Sequence, residues 1–108
     1  MAKYLYYGNF VGDGVKGLLR DGGSDRVAAV KKLCESVGGR LECYYFAFGE
    51  YDYFIIIDVP DNVSAASISL GINASGLVKN NTIVLMTPEE MDQTVRKSVK
   101  YRAHGRIN

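Results

Sequence analysis

Gly49-Glu50-Tyr51-Asp52, running into Tyr53-Phe54-Ile55-Ile56-Ile57-Asp58-Val59-Pro60, decides the fold. The second part is an unbroken apolar run closed by a proline, which cannot donate to a strand ladder. A similar run precedes it, Leu41-Glu42-Cys43-Tyr44-Tyr45-Phe46-Ala47-Phe48. The polar break between them reads as a hairpin, with Gly49 supplying the unusual backbone angles. Two antiparallel strands carrying most of the aromatic bulk therefore form the centre of the molecule.

Working outward, Lys3 to Phe10 is rich in aromatics and reads as a first strand. Val11-Gly12-Asp13-Gly14 breaks it, and Asp13 is placed to cap a short helical turn over Val15 to Arg20. After Asp21-Gly22-Gly23, Ser24 opens a longer helix. Its apolar stripe is Val27, Val30, Cys34 and Val37, at spacings of three and four, and Gly38-Gly39 ends it. Beyond Pro60, Asp61 or Asn62 caps a helix over Val63 to Ala74, which Gly76 ends. Val78 to Met86 is the fourth strand. Thr87-Pro88-Glu89-Glu90 is a capping box with proline at the first helical position, and the last helix is expected to run to about Val99.

Strand, helix, strand, strand, helix, strand, then an extra helix predicts an α+β domain spanning residues 1–108. Its closure is a four-stranded antiparallel sheet with two helices on one face. The strands are apolar on both faces: Tyr53, Ile55, Ile57 and Val59 oppose Phe54 and Ile56. On the second strand, Leu41, Cys43, Tyr45 and Ala47 are set against Tyr44, Phe46 and Phe48. Two helices cover one face only, and a bare second face exceeds what monomers usually expose. The expected cover is the same face of a second copy, and Phe46 is assigned to that pairing face. The C-terminal helix folding back is the other possibility.

Bulk composition narrows the function classes. Thirteen Lys and Arg stand against twelve Asp and Glu in 108 residues, which speaks against a nucleic-acid binder. Arg96, Lys97, Lys100, Arg102 and Arg106 read as a solvated helix face and tail. No run reaches the length of a membrane span. Cys34 and Cys43 match no metal spacing and His104 is the one histidine, so neither a metal nor a cofactor is expected. Both thiols read as reduced and structural, in a cytoplasmic protein. Gly12-Asp13-Gly14 and Gly22-Gly23-Ser24 lack the pattern of a phosphate loop.

The chain resembles the GYD domain family of small bacterial proteins. The resemblance rests on Lys3-Tyr4-Leu5, Gly14-Val15-Lys16-Gly17-Leu18-Leu19 with Gly22-Gly23-Ser24, and Phe46-Ala47-Phe48-Gly49-Glu50-Tyr51-Asp52. It continues in Val59-Pro60-Asp61-Asn62, Asn73-Ala74-Ser75-Gly76, Leu85-Met86-Thr87-Pro88-Glu89-Glu90 and Ser98-Val99-Lys100-Tyr101-Arg102. The name-giving Gly, Tyr and Asp correspond to Gly49, Tyr51 and Asp52. The resemblance implies a ferredoxin-like βαββαβ unit pairing face to face as a dimeric α/β barrel, and brings no settled activity with it.

Candidate site residues follow from the aromatics and the hairpin. Asp52 and Tyr51 are the candidates for proton transfer, although a carboxylate bonding turn amides is the simpler reading of Asp52. Tyr6, Asn9, Tyr44, Phe46 and Phe54, with Tyr4, are candidates to line a mostly apolar pocket. Asp58 is read as a solvated residue at a strand end, and His104 as exposed. The leading expectation is a small homodimer that binds an apolar or aromatic molecule in a sheet-lined cleft. A cofactor-independent oxygenase or isomerase, and a purely structural assembly module, are the alternatives.

Overall fold

A computed structural model describes residues 1–102. His104 and Arg106, expected to be solvent-exposed, lie outside the described residues. The order is β1 (Ala2–Phe10), α1 (Asp13–Ser36), β2 (Arg40–Phe46), β3 (Tyr53–Val59), α2 (Asn62–Ala74), β4 (Val78–Leu85) and α3 (Pro88–Arg96). This is the expected α+β, ferredoxin-like βαββαβ arrangement with an added helix. The sheet is antiparallel throughout, in the order β2-β3-β1-β4.

Alternation along the central strands divides the sheet into two unlike faces. Tyr4, Tyr6 and Phe10 of β1, and Tyr53, Ile55, Ile57 and Val59 of β3, form the buried layer under α1 and α2. Val30 and Cys34 of α1, and Ala65 and Ile68 of α2, close it from above. The tyrosine hydroxyls in this layer are satisfied. Tyr6 donates to the Ala65 carbonyl, Tyr4 to Asn62, and Tyr53 to Asn80. Asn80 in turn donates to Thr82, and its backbone exchanges two hydrogen bonds with the Asn73 side chain. This network ties α2 to β4, as buried polar groups require.

The opposite face carries Leu5 and Tyr7 of β1, Phe54 and Ile56 of β3, Cys43 and Tyr45 of β2, and Ile83 of β4, by register. No helix covers it. Tyr45 is 70% exposed, Ile83 44% and Phe54 39%. The alternative in which α3 folds back over this face is overturned: every residue of α3 is exposed, and the helix ends at Arg96 rather than near Val99. The radius of gyration is 17.6 Å, against about 13 Å for a compact chain of this length. An arm standing away from the body accounts for the excess.

Five local expectations are corrected. The register shifts between Leu41 and Cys43, so β2 has a bulge at Glu42. One extra residue reverses the alternation, and Leu41 joins Tyr44 and Phe46 on the helix side instead of Cys43 and Tyr45. β2 also stops at Phe46, leaving Phe48 in the loop and fully exposed. Gly49 does not take left-handed angles; the loop is closed by the Ala47 amide donating to the Asp52 carbonyl at 2.8 Å. At α1, Asp13 is already helical and gives no cap: Gly12 holds the cap position without a side-chain bond.

Asp58 is the fifth correction. It is 4% exposed, not solvated. Lys3 Nζ lies 3.0 Å from Oδ1 and Arg40 Nη2 lies 3.1 Å from Oδ2. Arg40 approaches off the hydrogen-bond line, so Oδ2 has ion-pair company without a hydrogen bond. Lys3 also reaches Glu42. The alkyl stems of two long cations cover a carboxylate that the backbone alone would leave open.

Candidate functional site

The two segments of α1 meet at Gly22, with φ 80 and ψ 174. That backbone is open to glycine and strained for other residues. The double glycine read as a break from sequence is thus a kink inside one helical run. Its second glycine has a separate use: a Cβ on Gly23 would sit 2.9 Å from the Phe46 ring. The bare backbone lets α1 settle on that aromatic.

The kink leaves an open cleft of about 420 Å³ beneath the first segment of α1. Phe10, Val15, Leu18, Phe46, Ala47 and Asp52 line it, with Gly23. Phe10 and Phe46 stack at 6.3 Å between centroids, and Tyr44 packs on Phe46 at 4.7 Å. The wall is therefore aromatic and aliphatic with one carboxylate, the composition of a small-molecule pocket.

Asp52 is fixed on three sides. Its Oδ2 accepts from the Phe10 amide at 3.0 Å, its own amide donates to the Gly8 carbonyl at 2.8 Å, and its carbonyl accepts from Ala47. The simpler reading of this residue, a carboxylate bonding amides of its own turn, is corrected: the amide it holds is that of Phe10, at the end of β1. Its Oδ1 takes no donor among the described residues.

The sequence-predicted site residues do not all converge. Asp52 and Phe46 share the cleft, and Tyr44 supports Phe46 from behind. Tyr6 is 2% exposed in the core. Burial pushes its phenol up to about 12, and its hydroxyl is used by α2. Tyr51 packs edge-on against Tyr7 at 4.9 Å and Phe54 at 6.2 Å, on the uncovered face. Phe54 and Asn9 belong to that face too, through their register with Tyr7 and Lys79. Grouping Phe54 with Tyr6, Tyr44 and Phe46 is therefore corrected, and Tyr51 and Asp52 serve opposite sides of the sheet. Both precede β3, which begins at Tyr53, so strand alternation does not set their sides.

Sequence reasoning missed Phe10, Val15 and Leu18 as lining residues. It also missed Arg26, which lines two neighbouring clefts. The signal for the first three was the aliphatic side already assigned to the first helical segment; what it faced was not visible. Among the described residues no group of acidic, histidine and cysteine side chains is arranged to hold a metal, and no helix is long and apolar enough to cross a membrane.

The family model of the GYD domain matches residues 4–95. Neither a curated protein nor a solved structure matches the chain.

Proposed function

The chain belongs to the GYD domain family, and from that premise we propose that it is a small homodimeric binding protein whose ligand is a small apolar or aromatic molecule. The cleft at the α1 kink carries this reading. It offers Phe10, Phe46, Val15 and Leu18 as an apolar bed and Asp52 as one polar contact at its edge. Its volume of about 420 Å³ suits a molecule of one or two rings. Asp52 is anchored by backbone, so an oxygen aimed at a ligand would be held in place before the ligand arrives.

Homodimerisation is the second half of the proposal. Leu5, Tyr7, Tyr45, Tyr51, Phe54, Ile56 and Ile83 make one side of the sheet apolar, and the chain's own helices leave it bare. A second copy presenting the same face covers both at once. The cleft lies on the helix side and stays accessible in such a pair.

Titration with indole, followed by ring and methyl resonances, tests the binding half. Saturable shifts concentrated on Phe10, Leu18 and Phe46 support the cleft. Shifts confined to Tyr45 and Phe54, or none, contradict it.

A further inference from the structure

The guanidinium of Arg26 is turned inward beside the Tyr44 hydroxyl, and among the described residues it has no acidic partner. Its Nε is buried and takes no hydrogen bond, and Arg26 forms no ion pair among the described residues. A buried donor left open is destabilising, so native structures retain one where something fills it.

Its surroundings indicate what that is. Arg26 stands between two clefts of about 290 and 330 Å³, one on each side, and both also touch Leu77 and Val78. The first shares Phe10 and Leu18 with the apolar cleft described above. Tyr44 links the two regions as well: its ring packs on Phe46, and its half-buried hydroxyl is in hydrogen-bond reach of Arg26, whose charge and bond both oppose the upward push of burial on the phenol. The two acidic residues that line the first cleft with Arg26 are engaged elsewhere. Asp21 takes two hydrogen bonds from Arg20, at 2.9 and 2.8 Å, and Asp13 lies 3.9 Å from Lys16 on the exposed surface.

We propose that Arg26 is the anion-binding residue of the ligand site, and that the ligand is a small carboxylic acid. Its apolar or aromatic body lies against Phe10 and Leu18, and its carboxylate meets the guanidinium. The planar guanidinium fork matches a carboxylate, and the pairing is strengthened where water is partly excluded. This rests on the binding role proposed above and adds the chemical class of the molecule.

Two measurements test it. In calorimetric titrations, phenylacetate binds the wild-type protein at least tenfold more tightly than phenylacetamide, its neutral counterpart. Arg26→Gln lowers phenylacetate to the level of the amide and leaves the amide unchanged, while Arg26→Lys recovers part of the difference. Equal affinity for acid and amide, or acid binding indifferent to Arg26→Gln, overturns the assignment. If Phe46→Ser abolishes that indifferent binding, the cleft reading survives and only the acid is excluded. Failure of phenylacetate to bind overturns the assignment, while indole shifts at Phe46 would still uphold the cleft. Independently of any ligand, Arg26→Met raises the melting midpoint, because it removes an unpaired donor and keeps the stem. A fall in the midpoint marks Arg26 as a structural residue and counts against the proposal.

Discussion

The carboxylate of Asp52 accepts the backbone amide of Phe10 at 3.0 Å, across 42 positions of sequence. The contact joins the end of β1 to the loop that leads into β3, and it sets the edge of the cleft. Asp52→Ala leaves the Phe10 amide short of its acceptor and costs about 1–2 kcal/mol of stability. Asp52→Asn keeps an oxygen at the same place and costs less than half as much. Chemical denaturation of the two variants checks the order; equal losses contradict it.

Asp58 provides a second stability test. It is buried between Lys3 and Arg40, whose side chains remain 30% and 64% exposed. Solvent screens those cations, so the loss on Asp58→Asn is modest, about 1–2 kcal/mol. Lys3 retains Glu42 as a partner. Urea unfolding of the variant at low and high salt measures it, and the difference from wild type narrows as salt rises.

Stability falls on the alkaline side in a defined order. Burial pushes the Cys34 thiol from 9.0 up to about 11, and the Tyr6 phenol from 10.0 up to about 12. Each group keeps its proton longer in the folded chain than in the unfolded one. These contributions are therefore full below about pH 9.0, begin to fall as unfolded Cys34 ionises, and fall further above about pH 10.0 as Tyr6 and Tyr53, which burial also raises, follow. Lys3, raised first by Glu42 and then by Asp58, acts in the same direction above its ordinary 10.5. Cys34→Val preserves an apolar side chain and removes the first step. Thermal melts across this range check it; a decline in the variant that starts as early as in wild type contradicts the assignment to Cys34.

Phe46 and Phe54 separate the two faces. Phe54→Glu puts a charge on the uncovered face and dissociates the dimer while the chain stays folded. Phe46→Glu puts one in the cleft, against Phe10 and Gly23. It lowers stability and abolishes ligand binding, and does not touch the pairing surface. Light scattering and circular dichroism on both variants distinguish these outcomes; loss of the dimer in Phe46→Glu alone reverses the face assignment.

Much of this architecture was legible because its signals are local. The aromatic-rich run at β1, the unbroken apolar run at β3, the capping box at Thr87 to Glu90, and the cap at Asp61 all identify their elements without reference to the rest of the fold. The bulge at Glu42 was not legible. It depends on how β2 meets β3, and it moves Leu41 across the sheet relative to Cys43. The burial of Asp58 was hidden for a like reason, since Lys3 and Arg40 arrive from two other strands. In the cleft, Phe46 and Asp52 were visible as candidates. Phe10, Leu18 and Arg26 were not, because only the kink at Gly22 sets the two segments of α1, which carry Leu18 and Arg26, over Phe10.

Sedimentation equilibrium of the wild-type chain, over a wide concentration range, addresses the claim on which the two-sided account of the sheet rests. A dimer that Phe54→Glu converts to a folded monomer is the predicted result. A wild-type monomer at the highest concentration, with Tyr45 and Phe54 still open to a solvent probe, contradicts it.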